Sequence, residues 1–228
     1  MTVLSSKPAS AEASWLDRLA HDLRGPLSPI RSAVQMLRNG SIGSEATPQM
    51  LELIDRQLDE LVELIDDLAD RVTIERDRFR CTPRPTDLRP IVDAVAVKLS
   101  RRMSNLGVSL TAVVPDSDVE VQCDGTRIAQ LLGYLIRKMA AARVDAAHIR
   151  IELHGPSPAC IVIHTTDGEF GIAAALRDLA SGGAAVPVSM AAGVARTIAQ
   201  MHELTLSHTV DADGIHVGIA FPPAPTSS

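Results

Sequence analysis

A histidine followed directly by an acid, His21-Asp22, lies within the run Leu19-Ala20-His21-Asp22-Leu23-Arg24-Gly25-Pro26-Leu27. A neutral imidazole is a nucleophile. A carboxylate beside it can accept a hydrogen bond from one ring nitrogen, fix the tautomer and leave the other nitrogen free to attack. Apolar residues recur at Leu16, Leu19, Leu23, Leu27, Ile30, Val34 and Leu37, at spacings of three and four, which predicts an amphipathic helix. With Leu16 at heptad position a, His21 falls at f, opposite the seam and in water, where it can meet a large reactant. Pro26 removes a backbone donor and is expected to bend the helix just past the histidine. The helix is expected to run from near Ser14 to Asn39-Gly40, with Ser41–Pro48 as the connection onward.

The element that must hold this helix in place is the next one. Leu51, Ile54, Leu58, Leu61, Ile65, Leu68 and Val72 keep a strict 3-4-3-4 rhythm, and Leu53, Val62 and Leu64 widen the stripe beyond one seam. A single helical hairpin would leave that second flank in water. Two hairpins packed as a four-helix bundle would cover it, so a homodimer is expected. Asp55, Asp59, Glu60, Glu63, Asp66, Asp67 and Asp70 make the opposite face acidic. That face reads either as a solvated surface or as one that steers a partner's basic patch.

The 228 residues suit one large or two small domains. Aromatic residues are only 2% of a chain that is 46% hydrophobic, so the core must be built from Leu, Ile, Val and Ala. A formal net charge of −6 argues against nucleic acid as the main partner, because phosphate backbones require a basic face. Cys81, Cys123 and Cys160 are odd in number and far apart, which fits reduced thiols in a cytoplasm. No apolar run approaches the roughly 18 residues of a membrane span, and Met1–Ser10 has no secretory apolar region, so no membrane association is expected. The histidines beyond His21 lack metal-ligand spacing, and no metal site is expected.

Past the hairpin, Pro83, Pro85 and Pro90 mark a linker. A helix is expected over 88–104, short strands over 108–113 and 119–122, and a helix over 124–143. A hairpin over 148–153 and 160–165, a helix over 191–201 and a last hairpin over 204–210 and 215–221 complete the order. Helices should cover one face of a mixed sheet, making the chain α+β.

His21, Asp22, Leu23, Arg24, Pro26 and Leu27 resemble the phosphoacceptor box of histidine kinases. The resemblance implies that His21 carries a phosphoryl group with Asp22 as its acid-base partner, supported by Arg24 and Pro26. Gly25 departs from the family's threonine or asparagine, a side chain thought to position water for dephosphorylating the partner, so phosphatase activity by that route is not expected. The order of elements from 88 to 221 is similar to the family's ATP-binding domain. Pro85-Thr86-Asp87-Leu88 resembles its opening segment, and Asp124-Gly125-Thr126-Arg127-Ile128-Ala129-Gln130 resembles the run into its asparagine box.

The same resemblance implies a degenerate nucleotide site. The box's two asparagines fall on Tyr134 and Lys138, and a lysine ammonium has no lone pair for magnesium. Asp167 could still meet an adenine amine and Gly171 is kept, but Glu169 puts a carboxylate near the polyphosphate. Ser189 and Ala191 stand where glycines would cradle phosphates. The expected division is a tail at 1–12, a dimerising phosphoacceptor hairpin at 13–80, a linker at 81–90, a degenerate catalytic-type domain at 91–221 and a tail at 222–228. The expected function is a histidine phosphotransferase of a bacterial phosphorelay. It would pass phosphate between receiver-domain aspartates through His21, with response regulators and possibly an upstream hybrid kinase as partners. Magnesium would arrive with the receiver, and ATP is not expected as a cofactor. The alternatives are a divergent autokinase that uses ATP and a pseudokinase that binds a kinase or response regulator without chemistry.

Overall fold

A computed structural model describes residues 9–40, 43, 46–141, 147–155, 158–165, 190–211 and 214–223. The chain divides into two compact units, Met1–Val72 and Thr73–Ser228.

The first unit is a pair of helices, α1 (Ala9–Arg38) and most of α2 (Thr47–Glu75). Helix α1 begins inside the expected 1–12 tail, five residues before Ser14. It also runs on through Pro26 and a second proline, Pro29, without a break. Pro26 cannot donate to the carbonyl of Asp22, so that carbonyl is freed one residue past His21. Pro26 and Ala33, seven residues apart, are the buried positions of α1 among the described residues. No described residue of α2 is fully buried.

The second unit is a sheet covered on one side by helices. Its elements are β1 (Arg84–Asp87), α3 (Arg89–Asn105), β2 (Val108–Val113), β3 (Glu120–Cys123), α4 (Gly125–Ala141), β4 (Ala147–His154), β5 (Cys160–Thr165), α5 (Met190–Met201), β6 (Thr205–Asp211) and β7 (Gly214–Ala220). The main sheet has the order β2-β4-β5-β7-β6. β2 and β4 run parallel, and the other neighbours are antiparallel. Both expected hairpins form, with His154 opposite Cys160 and Asp211 opposite Gly214.

Period-two alternation decides which face is covered. Ile149, Ile151, Ile161, Ile163, Ile215, Val217 and Ile219 are buried. They pack with Leu99 and Met103 of α3, with Ile128, Leu131, Leu132, Leu135 and Ile136 of α4, and with Ile198 of α5 in one core. Each such side chain contributes about 1.5–3 kcal/mol on burial. Between them on β4, Arg150 and His154 face solvent.

One expectation fails here. The stretch expected to be linker at 81–90 contains β1, which pairs antiparallel with β3 so that Pro85 lies opposite Gln122. Prolines lowered the strand signal, yet a two-stranded ribbon has an unpaired side on which a missing N–H costs nothing. Leu88, just past β1, is fully buried.

Candidate functional site

His21 is displayed as its heptad position requires, with its side chain 88% exposed. Its Nδ1 lies 3.6 Å from Asp22 Oδ1. That is too long for a hydrogen bond, so the tautomer is not locked in this geometry and the contact is electrostatic. With Nδ1 turned to the acid, Nε2 is the nitrogen left open to solvent. Arg24 is exposed and Pro26 buried one turn below. An accessible imidazole beside a carboxylate can take a group onto Nε2 while the acid stabilises the positive charge that grows on the ring.

The Gly25 departure has no steric cause. A Cβ at Gly25 would meet nothing within 4 Å, and glycine in a helix interior costs about 1 kcal/mol relative to alanine. Gly25→Ala should therefore raise the urea midpoint of the helical unit by an amount worth about 1 kcal/mol, read by circular dichroism.

In the second unit the residues at the asparagine-box positions lie on α4. Tyr134 is only 4% exposed and its ring belongs to the core. Lys138 is half-buried one turn later, with Nζ 5.8 Å from the centre of that ring. Tyr134 and Lys138 are thus together. Asp167, Glu169, Gly171 and Ser189 lie outside the described residues, and Ala191 is in the first turn of α5. Among the described residues no three His, Cys, Asp or Glu side chains come together to hold a metal. Among them, too, no helix is long and apolar enough to cross a membrane.

What positions α4 is a capping network that spacing alone could not reveal. Asp124 Oδ1 accepts from the N–H groups of Thr126 and Arg127 at 3.1 and 3.3 Å, capping the helix, and Oδ2 accepts from Thr82 N–H at 3.0 Å. The Asp124 N–H donates to His202 Nε2 at 2.9 Å, and His202 Nδ1 lies 2.8 Å from the Ile198 carbonyl. Both ring nitrogens of this buried histidine are thereby used: Nδ1 carries the proton and Nε2 accepts. Arg127, on the first turn of α4, stacks its guanidinium 4.3 Å above Phe79.

These contacts set an acid limit on stability. Burial pushes the Asp124 carboxyl up, but the N–H groups of Thr82, Arg127 and Thr126 outweigh it and hold the group below its usual value. Asp87 is lowered first by its side-chain hydrogen bonds to Arg89. Arg89 also pairs with Asp118. A carboxyl with a depressed folded-state pKa contributes stability above its unfolded value, near pH 4, and loses it as pH falls through the folded value. Thermal unfolding of the second unit should thus fall steeply below about pH 4. The double variant Asp87→Asn/Asp124→Asn should show a shallower acid limb than the unaltered chain.

Residues 11–77 match the family model of the His Kinase A phosphoacceptor domain. The chain is also 28% identical over 149 residues to histidine protein kinase DivJ of Caulobacter vibrioides, a match covering 64% of this chain and 25% of that relative. By these matches, residues 11–77 are similar to the phosphoacceptor domain of histidine kinases, and the relatives the chain matches are histidine kinases. The fold of the chain is likewise that of solved histidine kinase structures. Histidine kinase ThkA in complex with the response regulator TrrA gives a TM-score of 0.63 at 15% identity, over 96% of this chain and 64% of that one. A bacterial phosphotransferase solved at 1.7 Å gives 0.58 at 14% identity, over 96% of this chain and 100% of that one. The chain spans a quarter or less of the length of the first curated relatives it matches. The helical unit is the part of the chain that matches the phosphoacceptor domain.

Proposed function

We propose that this chain is a histidine phosphotransferase that relays a phosphoryl group between receiver-domain aspartates through His21, as a homodimer. His21 Nε2 attacks the phosphorus of a receiver's phosphoaspartate. The N–P bond forms, the acyl P–O bond breaks, and the receiver's carboxylate leaves. A second receiver's carboxylate then attacks the phosphohistidine, and the imidazole leaves. The transferring phosphoryl group needs charge neutralisation, which magnesium held by the receiver supplies.

The observation that carries this reading is the pairing of a fully displayed His21 with a second unit in which Tyr134 is buried at one asparagine position and Lys138 occupies the other. A kinase must extract phosphate from nucleotide, and magnesium ligation is part of that chemistry. A relay needs only the histidine. Gly25 supports the same reading, since no side chain there is available to direct water at the phosphate. The likeness to a phosphotransferase of the same overall length adds support at the level of fold.

Incubation with a phosphorylated receiver, and separately with labelled ATP and magnesium, tests it. Label should pass to the protein from the receiver within minutes and not from ATP. Self-phosphorylation from ATP without a receiver would establish the autokinase alternative. A protein that binds a receiver but takes label from neither source would be a non-catalytic binder.

A further inference from the structure

The open face of the main sheet holds an imidazole between two hydroxyls, a contact that phosphoryl relay does not use. On the edge strand β2, Val108 is buried while Ser109 and Thr111 are exposed, so the two hydroxyls share the face away from the helices. Ser109 stands opposite His148 of β4, and Thr111 opposite Arg150. Ser109 Oγ lies 2.6 Å from His148 Nδ1, and Thr111 Oγ1 lies 3.0 Å from His148 Nε2. A neutral imidazole has one N–H and one lone pair, so one hydroxyl accepts from the ring and the other donates to it. The distances separate the two. Hydroxyl donors make the shorter bonds, commonly about 2.7–2.8 Å between heavy atoms, and N–H donors the longer ones, about 2.9–3.0 Å. Ser109 therefore donates to the Nδ1 lone pair, and Nε2–H donates to Thr111.

We propose that these residues form a nucleophilic serine site that takes acyl groups from small activated esters, with Ser109 as nucleophile, His148 as its base and Thr111 as the group that orients the base. A serine hydroxyl becomes reactive when a neighbouring base takes its proton, and the base works when a third group holds its tautomer. The backbone ladder joins β2 to β4 without help from these side chains, and the exposure of Ser109 leaves Oγ open to a reactant. An exposed sheet face grips little of a substrate, so the acyl donor must bring a good leaving group, as an aryl ester does. Arg150 shares this face, with Nε held 2.8 Å from Glu152 Oε1, and adds positive charge to the side on which the oxyanion forms. In the reaction Oγ attacks the ester carbonyl carbon while its proton passes to Nδ1. The new C–O bond forms, the bond to the aryl oxygen breaks, and phenolate leaves with the electron pair. The imidazolium sheds its proton to solvent. Water then attacks the acyl-serine, giving a proton to Nδ1, and Oγ regains that proton as the carboxylic acid departs.

The test uses p-nitrophenyl acetate on the full chain carrying His21→Gln, which removes the exposed imidazole of α1 as a competing nucleophile. Release of nitrophenolate gives the acylation rate, and peptide mass spectrometry locates the acetyl group. Ser109 should carry it, and acylation should rise with pH along a single sigmoid. Ser109→Ala should lose the acetyl group at this position. His148→Gln should slow acylation of Ser109 at least about 10²-fold and remove the sigmoid. Thr111→Val keeps the shape and deletes the hydroxyl, and should slow acylation by about tenfold. Thr111→Ser keeps the hydroxyl and should restore it, whereas a packing role would reverse that order. The acetyl position and pH profile of the chain with Ser109, Thr111 and His148 intact decide the matter even where a variant fails to fold. Acetyl groups found only on other residues, a flat pH profile, or Ser109 acylated equally fast without His148 would overturn the proposal. Each of these outcomes leaves the relay through His21 untouched.

Discussion

Replacing His21 by glutamine should abolish acceptance of phosphoryl groups, lowering transfer from a phosphorylated receiver by at least about 10⁴-fold, to background. Glutamine keeps the polarity and approximate length of the side chain, but its amide nitrogen has no nucleophilic lone pair. The helical unit holds no second imidazole, since every other histidine lies at position 148 or beyond. The companion variant Asp22→Asn should retain acceptance and slow it by about 10². Its carboxylate stands 3.6 Å from Nδ1, close enough to stabilise a ring that becomes positive and too far to hold it rigidly. Acid-stable label in the His21→Gln protein, or label at unaltered rate, would remove His21 from the reaction. The two variants differ in kind, since one deletes the bond-forming atom and the other a charge beside it. Quench-flow rates should therefore separate them even where both look inactive in an endpoint assay.

The acceptor helix was readable because its chemistry lies on a periodic element. Once the apolar rhythm of α1 set a seam, the exposure of His21 opposite it followed from geometry, although among the described residues of α1 the buried ones are Pro26 and Ala33 and the expected Leu27 and Val34 are exposed. The second unit's strands were readable for a similar reason: runs such as Ile149-Arg150-Ile151 alternate between a covered and an open face. The segment Arg84–Asp87 was not readable, because its strand character comes from β3, more than thirty residues away in sequence, while its prolines argue locally for a linker. His202 and Asp124 were missed as a pair for the same physical cause. Their bond joins the end of α5 to the start of α4 across 78 positions, and no local pattern encodes it. Tyr134 shows how the two kinds of information combine. Its place in the box came from resemblance, and its burial on α4 gives that substitution a packing role.

The one-sided sheet makes its own large prediction. Ile163 sits in the middle of β5, the central strand of the main sheet, opposite Ile151 on one neighbour and Val217 on the other, and is fully buried. Ile163→Ala removes three carbons from a site walled by paired strands that cannot collapse inward, so the loss combines transfer and cavity costs. It should destabilise the second unit by about 3–4 kcal/mol, lowering its melting temperature by roughly 10 °C. Val162, one residue earlier, points to the opposite face and is only half-buried, so Val162→Ala should cost less than about 1 kcal/mol. Calorimetry on the pair checks the alternation directly. Equal losses would mean that the second face is also covered, and the assignment of helices to one side would fail. A large loss confined to Ile163 would place the core where β5's odd-numbered residues point, between the sheet and α3, α4 and α5.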